Sequence, residues 1–248
     1  MSTRSELKLV RALQQKKYRE KERLFLAQGA KVVRALITSD MRIGSIYATE
    51  TAAAEFDHPN LEVLPRHEME RLGTFESGNE LIAVVHMPEP PGLIELSADR
   101  MVIALDGITD PGNLGTVLRI ADWFGMDHVI CSHSSVDVFN PKCVQASMGA
   151  VFHVKVTYTD LPTELERLQQ KGASLYLASM EGGPVFDQRL ERPAVLVLGS
   201  EAHGLSEEVR RISGQYISIP GSGRSESLNV ATAAAALCME FDRQFRAG

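Results

Sequence analysis

The chain has 248 residues, 44% of them hydrophobic, with a net charge of −6 and three cysteines. That length suits one large α/β domain or two smaller ones. No run approaches the roughly 18 consecutive apolar residues of a membrane span, and the polar start MSTRSELK lacks a signal-peptide core, so a soluble cytoplasmic protein with no membrane partner is expected.

The charge is unevenly spread. Residues 1–34 hold ten Lys or Arg against three acids, a net +7, which leaves −13 for the rest of the chain. The spacing predicts a helix from Ser5 to about Glu22, and a basic block on such a helix can follow a phosphate backbone and release its counterions. Lys16, Lys17, Arg19 and Arg23 are therefore candidate RNA contacts, with Tyr18 and Phe25 as weaker stacking faces. A helix over 31–40, strands over 44–50 and 61–65, a glycine-stopped helix over 67–73 and a buried strand over 81–87 follow. PEPPG at 88–92 can continue neither a helix nor a central strand and marks a domain boundary. The expected division is a domain over 1–87, a linker over 88–99 and a second domain over 100–248.

Beyond the linker the pattern becomes regular. Strands are expected at 101–108, 128–132, 154–158, 174–179, 194–199 and 216–219. Helices are expected at 113–125, 141–152 and 163–172, with a long alanine-rich one from about Ser227 to Phe245. Alternating strands and helices imply a mostly parallel sheet covered on both faces, with ligands beyond the carboxyl ends of the strands. Two Gly- and Ser-rich segments, GSEAHGLS at 199–206 and IPGSGRSESLNVATAAAAL at 219–237, fall at such ends. They match neither a Walker A loop nor a dinucleotide fingerprint, and GxSxG, HExxH and other metal-ligand spacings are absent. No metal is expected. Cys131, Cys143 and Cys238 lack CxxC spacing and read as buried thiols in a reducing compartment.

DPGNLGTVLRIADWFG, VLVLGSEAHGLS and ISIPGSGRSESLNVATAAAAL, in that order, resemble the three motifs of the SpoU (TrmH-like) class of RNA ribose 2'-O-methyltransferases in the SPOUT superfamily. The first 86 residues are more loosely similar to the small α/β substrate-binding domain that precedes the catalytic domain in many rRNA-directed members. The resemblance implies a deep C-terminal trefoil knot in the catalytic domain and a homodimer. It further implies S-adenosylmethionine as methyl donor and RNA as substrate, rRNA before tRNA. Matched onto this sequence, the family's catalytic set is Asn113, Arg119, Glu201, Ser227 and Asn229. Gly199, Ile219 and Leu228 match its cofactor-binding positions, with Ser179, Leu198 and Pro220 as neighbours. Asn113 and Arg119 are nearly two helical turns apart, which sets both on broadly one side near the helix start. Ala202 stands where the family has glycine, a small penalty if that backbone requires positive φ.

A ribose hydroxyl is a poor nucleophile at neutral pH, whereas a sulfonium methyl is strongly electrophilic, so such an enzyme must orient the hydroxyl and favour its deprotonation. Arg119 would stabilise the alkoxide or act as base, the former being easier because guanidinium resists deprotonation. Asn113 would hold a ribose or phosphate oxygen and Glu201 would orient Arg119 or a substrate amide. Ser227 with Asn229 would fix loops and substrate, or serve as helix cap and loop ligand. A tRNA-directed enzyme and a non-catalytic RNA-binding relative are the alternatives.

Overall fold

The basic segment does not form one helix, and the reason is a buried arginine. In the computed structural model, which describes residues 3–75, 77–224 and 226–247, the elements in chain order begin with α1 (Arg4–Ala12), α2 (Lys16–Glu22), β1 (Leu24–Gln28), α3 (Ala30–Ile37), β2 (Ile43–Ala48), α4 (Glu50–Ala53), β3 (Leu61–Val63), α5 (Arg66–Leu72) and β4 (Leu81–His86). They continue with β5 (Met101–Asp106), α6 (Pro111–Trp123), β6 (His128–Ser132), α7 (Pro141–Ser147), β7 (Lys155–Thr159), α8 (Leu161–Gln170), β8 (Ser174–Pro184), β9 (Ala194–Gly199), α9 (Glu207–Arg210), β10 (Gln215–Ser218) and α10 (Val230–Ala247). Helix α1 opens with a capping box, the Thr3 hydroxyl accepting the Glu6 N–H and the Glu6 carboxylate accepting the Thr3 N–H. It stops where Leu13 enters the core. The Leu13 and Gln14 carbonyls accept Arg19 Nη1 at 3.0 and 2.8 Å. Arg19 Nε and Nη2 both donate to Asp137 Oδ2, at 3.1 and 2.6 Å, and the side chain is only 2% exposed. A guanidinium placed this way satisfies the carbonyls left by the helix break and pairs its charge.

Packing groups residues 3–89 with 137–153, and residues 90–136 with 154–247. Chain order alone does not reveal that 137–153 joins the first unit. That unit is built on a four-stranded sheet of order β1-β4-β2-β3, with only the β2–β3 pair parallel. Alternation along β1 decides its two faces. Leu26 joins Val10, Leu13, Met69, Leu72 and Ile82 on the side of α1 and α5, while Phe25 points the other way and stacks on Phe139 and Phe152 at centroid distances of 4.6 and 6.4 Å. The expected helix over 141–152 ends early, because Met148 and Gly149 turn to φ +52° and +106°. A Cβ on Gly149 would lie 2.5 Å from the Ala35 methyl, so the chain passes too close there for a side chain.

The second unit carries a six-stranded, wholly parallel sheet of order β10-β8-β9-β5-β6-β7. One face is covered by α8 and α9, with Leu165, Leu168, Val209 and Ile212 packed on Val102, Val195 and Val197. Residues expected to be linker join this core. Ile94 is buried in it, Arg167 Nη2 donates to the Ile94 carbonyl at 2.5 Å, and Lys171 pairs with Glu95 at 2.8 Å. The other face is covered by α6 and α10, which pack on each other with Gly115 and Ala121 buried on one helix and Ala231 and Ala234 on the other. Small residues let the two backbones approach closely. All three cysteines are buried and outside any disulfide, and burial pushes the Cys238 thiol up to about 12 and Cys131 upward as well.

Candidate active site

Strands β10, β8 and β9 are neighbours and run parallel, so their carboxyl ends deliver three loops to one edge of the second unit. The first is an excursion inside β8. Tyr216 pairs with Leu177 but Ile217 pairs with Gly183, so residues 178–182 leave the ladder. Gly182 returns so close to β10 that a Cβ would lie 2.5 Å from the Ile217 carbonyl carbon. The second loop, residues 200–204, is closed by two backbone bonds between Ser200 and Gly204, at 2.9 and 2.8 Å. A Cβ on Gly199 would fall 2.1 Å from the Gly204 carbonyl carbon, so only glycine fits at the end of β9. Among the described residues, the non-glycine positions with left-handed φ are Arg23 and Met148, so Ala202 carries no such strain. The third loop, residues 219–229, joins β10 to α10, and Ser225 within it lies outside the described residues.

The first motif reaches this edge through α6. Asp110 caps that helix by accepting the Asn113 N–H at 2.9 Å, and Pro111 occupies its first position. Asn113 thus stands in the first turn, and its Nδ2 donates to Glu201 Oε1 at 2.9 Å. The same oxygen accepts Asn229 Nδ2 at 2.6 Å and the Val230 N–H at 3.4 Å. Asn229 Nδ2 also faces Asn113 Oδ1 at 3.0 Å, while Asn229 Oδ1 accepts the N–H groups of Ala231 and Thr232 at 3.0 and 3.3 Å. Asn229, not Ser227, therefore caps α10, and the helix amides fix which way its side-chain amide points. The Glu201 charge sits at the amino end of α10, where the helix dipole favours it. One carboxylate oxygen so joins segments 88 and 28 residues away in sequence. An oxygen already accepting three N–H groups serves to hold its neighbours.

The remaining sequence-derived residues fall in different places. Arg119 is exposed and has no hydrogen-bond or ion-pair partner among the described residues. Six residues at 3.6 per turn rotate it about 120° from Asn113, so the two do not share a face of α6. Ser227 is exposed and likewise unpartnered among the described residues. Of the cofactor candidates, Leu198 is buried in the core and offers backbone alone. Gly199, Ile219 and Ser179 are half-buried and Pro220 is exposed. Leu228 is 47% exposed. A cavity of about 170 Å3 lies at the opposite, amino end of β5, lined by Arg100, Phe124, Met126, Arg192, Asp242 and Phe245, and holds none of the candidate catalytic or cofactor residues. In the first unit Arg19 is withdrawn from the surface, so it is a structural cation and not the expected RNA contact. Lys16 is exposed beside Glu20, Lys17 lies over the Tyr18 ring at 4.8 Å, and Arg23 donates to the Pro88 carbonyl at 2.6 Å.

Comparison with known proteins now decides the family. The model of the SpoU rRNA Methylase family matches residues 100–239, and that of the MRM3-like substrate binding domain matches residues 4–84. The chain belongs to the SpoU rRNA methylase family. Among relatives of this SpoU protein, the 23S rRNA (guanosine(2553)-2'-O)-methyltransferase RlmP of Bacillus subtilis is 29% identical over 229 residues, 91% of either chain. The 23S rRNA (uridine(2479)-2'-O)-methyltransferase of Streptomyces viridochromogenes is 34% identical over 177 residues, 68% of this chain and 62% of that protein. A putative TrmH-family RNA methyltransferase from Porphyromonas gingivalis superposes with a TM-score of 0.86 at 37% identity, covering 98% of this chain and 99% of that one. The SpoU methyltransferase AviRb from Streptomyces viridochromogenes, solved in complex with AdoMet, gives 0.87 at 26% identity, covering 99% and 100%.

The two kinds of cation in the SpoU protein's first unit separate experimentally. Arg19→Ala strands the Asp137 carboxylate and is expected to cost about 3–5 kcal/mol of stability in urea unfolding. Lys16→Ala with Lys17→Ala is expected to leave unfolding unchanged and to make RNA binding less salt-dependent, the log–log slope falling by about 1.4 for two single-strand phosphate contacts. Unchanged stability in the first variant, or an unchanged slope in the second, contradicts the division.

Proposed function

We propose that the chain transfers a methyl group from S-adenosylmethionine to the 2'-hydroxyl of a ribose in large-subunit rRNA. The observation that carries this reading is the Asn113–Glu201–Asn229 junction, set beside three strand-end loops in a member of the SpoU family. The rRNA assignment is supported by likeness to RlmP along nine-tenths of the chain. The half-buried Ser179, Gly199 and Ile219, with the exposed Leu228, offer backbone polar groups and apolar contacts together, which suits a ligand with an adenosine and a charged sulfonium. When bound, that cofactor supplies an electrophilic methyl group.

The residues of the chain then need only hold the ribose and favour loss of its hydroxyl proton to solvent water. Asn113, immobilised by Glu201, presents an amide of fixed direction to a ribose or phosphate oxygen. Arg119, exposed and unpaired among the described residues, is free to meet the developing alkoxide as a charge. Ser227, in the third loop, completes the substrate side. Lys16, Lys17 and Arg23 engage the RNA backbone. Knotting of the C-terminal segment fits the chain path, since β10 sits at the sheet edge while α10 returns to pack on α6. Three buried thiols outside any disulfide suit action in a reducing compartment such as the cytoplasm.

With labelled cofactor and unmodified rRNA, the expected product is a nucleotide whose 3' phosphodiester resists alkali. Methylation that leaves every such bond alkali-labile would overturn the assignment.

A homodimer is proposed on the α6–α10 face, where Trp123 is 84% exposed and Met239 63% exposed. Arg119 lies one turn before Trp123 and is carried on the same side. Sedimentation of the wild type should give the mass of two chains, and Trp123→Asp that of one. A monomeric wild type would sink the dimer and leave the chemistry untouched.

A further inference from the structure

The loop that carries Glu201 is tethered from outside the motifs. Asp106, the last residue of β5, lies opposite Gly199 in the β5–β9 ladder. It is 7% exposed, and its Oδ2 accepts the Ser206 N–H at 2.6 Å. Ser206 stands just after the closed turn 200–204 and caps α9, its Oγ accepting the Val209 N–H. A second tether comes from α9, where Arg210 Nε donates to the Leu205 carbonyl at 3.0 Å. The turn bearing Glu201 therefore leaves β9 at Gly199 and is received at Ser206 by a carboxylate of the neighbouring strand.

We propose that Asp106 is a positioning residue for the methyl-transfer site, acting through the Ser206 N–H to set the height of Glu201, and through Glu201 to aim Asn113 and Asn229. A charge-assisted hydrogen bond in a buried place holds a loop more firmly than a neutral one. The junction it serves depends on three donors reaching one oxygen, so displacement of the turn loosens all of them together. Asp106 lies outside the three motif segments and outside the matched catalytic set. The carboxylate makes its bond to backbone, so it acts on the reaction only through the loop. The kinetic part of this inference rests on the methyltransferase reading, and the spectroscopic part does not.

Ser206 has φ −63° and ψ 159°, and Ser206→Pro deletes the N–H at a φ that proline adopts. Ser206→Ala removes only the α9 cap. Asp106→Ala and Ser206→Pro are each expected to lower kcat about 100-fold, the scale of a loss from small misplacement of reacting groups. Cofactor KM should change much less. The double variant should lose no more than either single, Ser206→Ala should stay near wild type, and Asp106→Asn, which keeps an acceptor oxygen, should recover most of the rate. Independently of turnover, the side-chain amide NMR signals of Asn113 and Asn229 should move to free-amide positions in Asp106→Ala. Amide signals that stay in place, losses that multiply in the double variant, or equal impairment of Asp106→Ala and Asp106→Asn would each overturn the proposal. A wild type without methyl transfer would overturn the functional reading instead, and the amide signals would still judge the tether.

Discussion

One carboxylate oxygen holds the site together. Glu201 Oε1 gathers Asn113 from the first turn of α6, Asn229 from the loop before α10, and the first amide of α10 itself. Asn113, Glu201 and Asn229 lie far apart in sequence, and each is exposed or half-buried. Without the junction, the Asn113 and Glu201 side chains would be solvated and rotamerically free, and Asn229 would keep only its hold on the α10 amides. With it, two amides are fixed in direction before any substrate arrives, which is the condition for electrostatic and orientational catalysis.

The parallel sheet makes that junction possible. Because β10, β8, β9 and β5 are successive neighbours with the same direction, their carboxyl ends open on one edge, and the loops of all three motifs emerge there. Glycines at 182 and 199 let backbones approach at distances no side chain would permit. The opposite end of β5 carries an arginine- and phenylalanine-lined cavity that none of these loops reaches. Asn113, Glu201 and Asn229 meet at the end where the free strand termini and the amino ends of α6 and α10 coincide. The helix amides at that end favour a carboxylate and suit the assembly to anionic or electron-rich groups.

Much of the second unit was legible because alternation of strand and helix is a local pattern. The strands at 128–132 and 194–199 fall where the hydrophobic runs put them. What periodicity could not supply was anything decided by a distant partner. The break between α1 and α2 depends on Arg19 meeting Asp137, 118 residues away, and β1 is a five-residue strand that follows a basic helix without a turn signal. The excursion at 178–182 is invisible because the ladder resumes at Gly183 and Pro184, residues that carry no strand signal. In the site, motif spacing led to Asn113, Glu201 and Asn229, yet their division of labour came only from the bonds. Glu201 holds amides instead of an arginine, and Arg119 lies on another flank of α6. Asp106 carried no signal beyond an acid ending an apolar run.

If the junction is the unit of function, its members lose their effect together. The direct measurement is a double-mutant cycle in single-turnover methylation with Asn113→Ala, Glu201→Ala and the pair combined. The account predicts that the pair is no slower than Glu201→Ala alone, because Asn113 has no fixed direction once its acceptor is gone. Losses that multiply in the pair would show two residues acting separately and would contradict it.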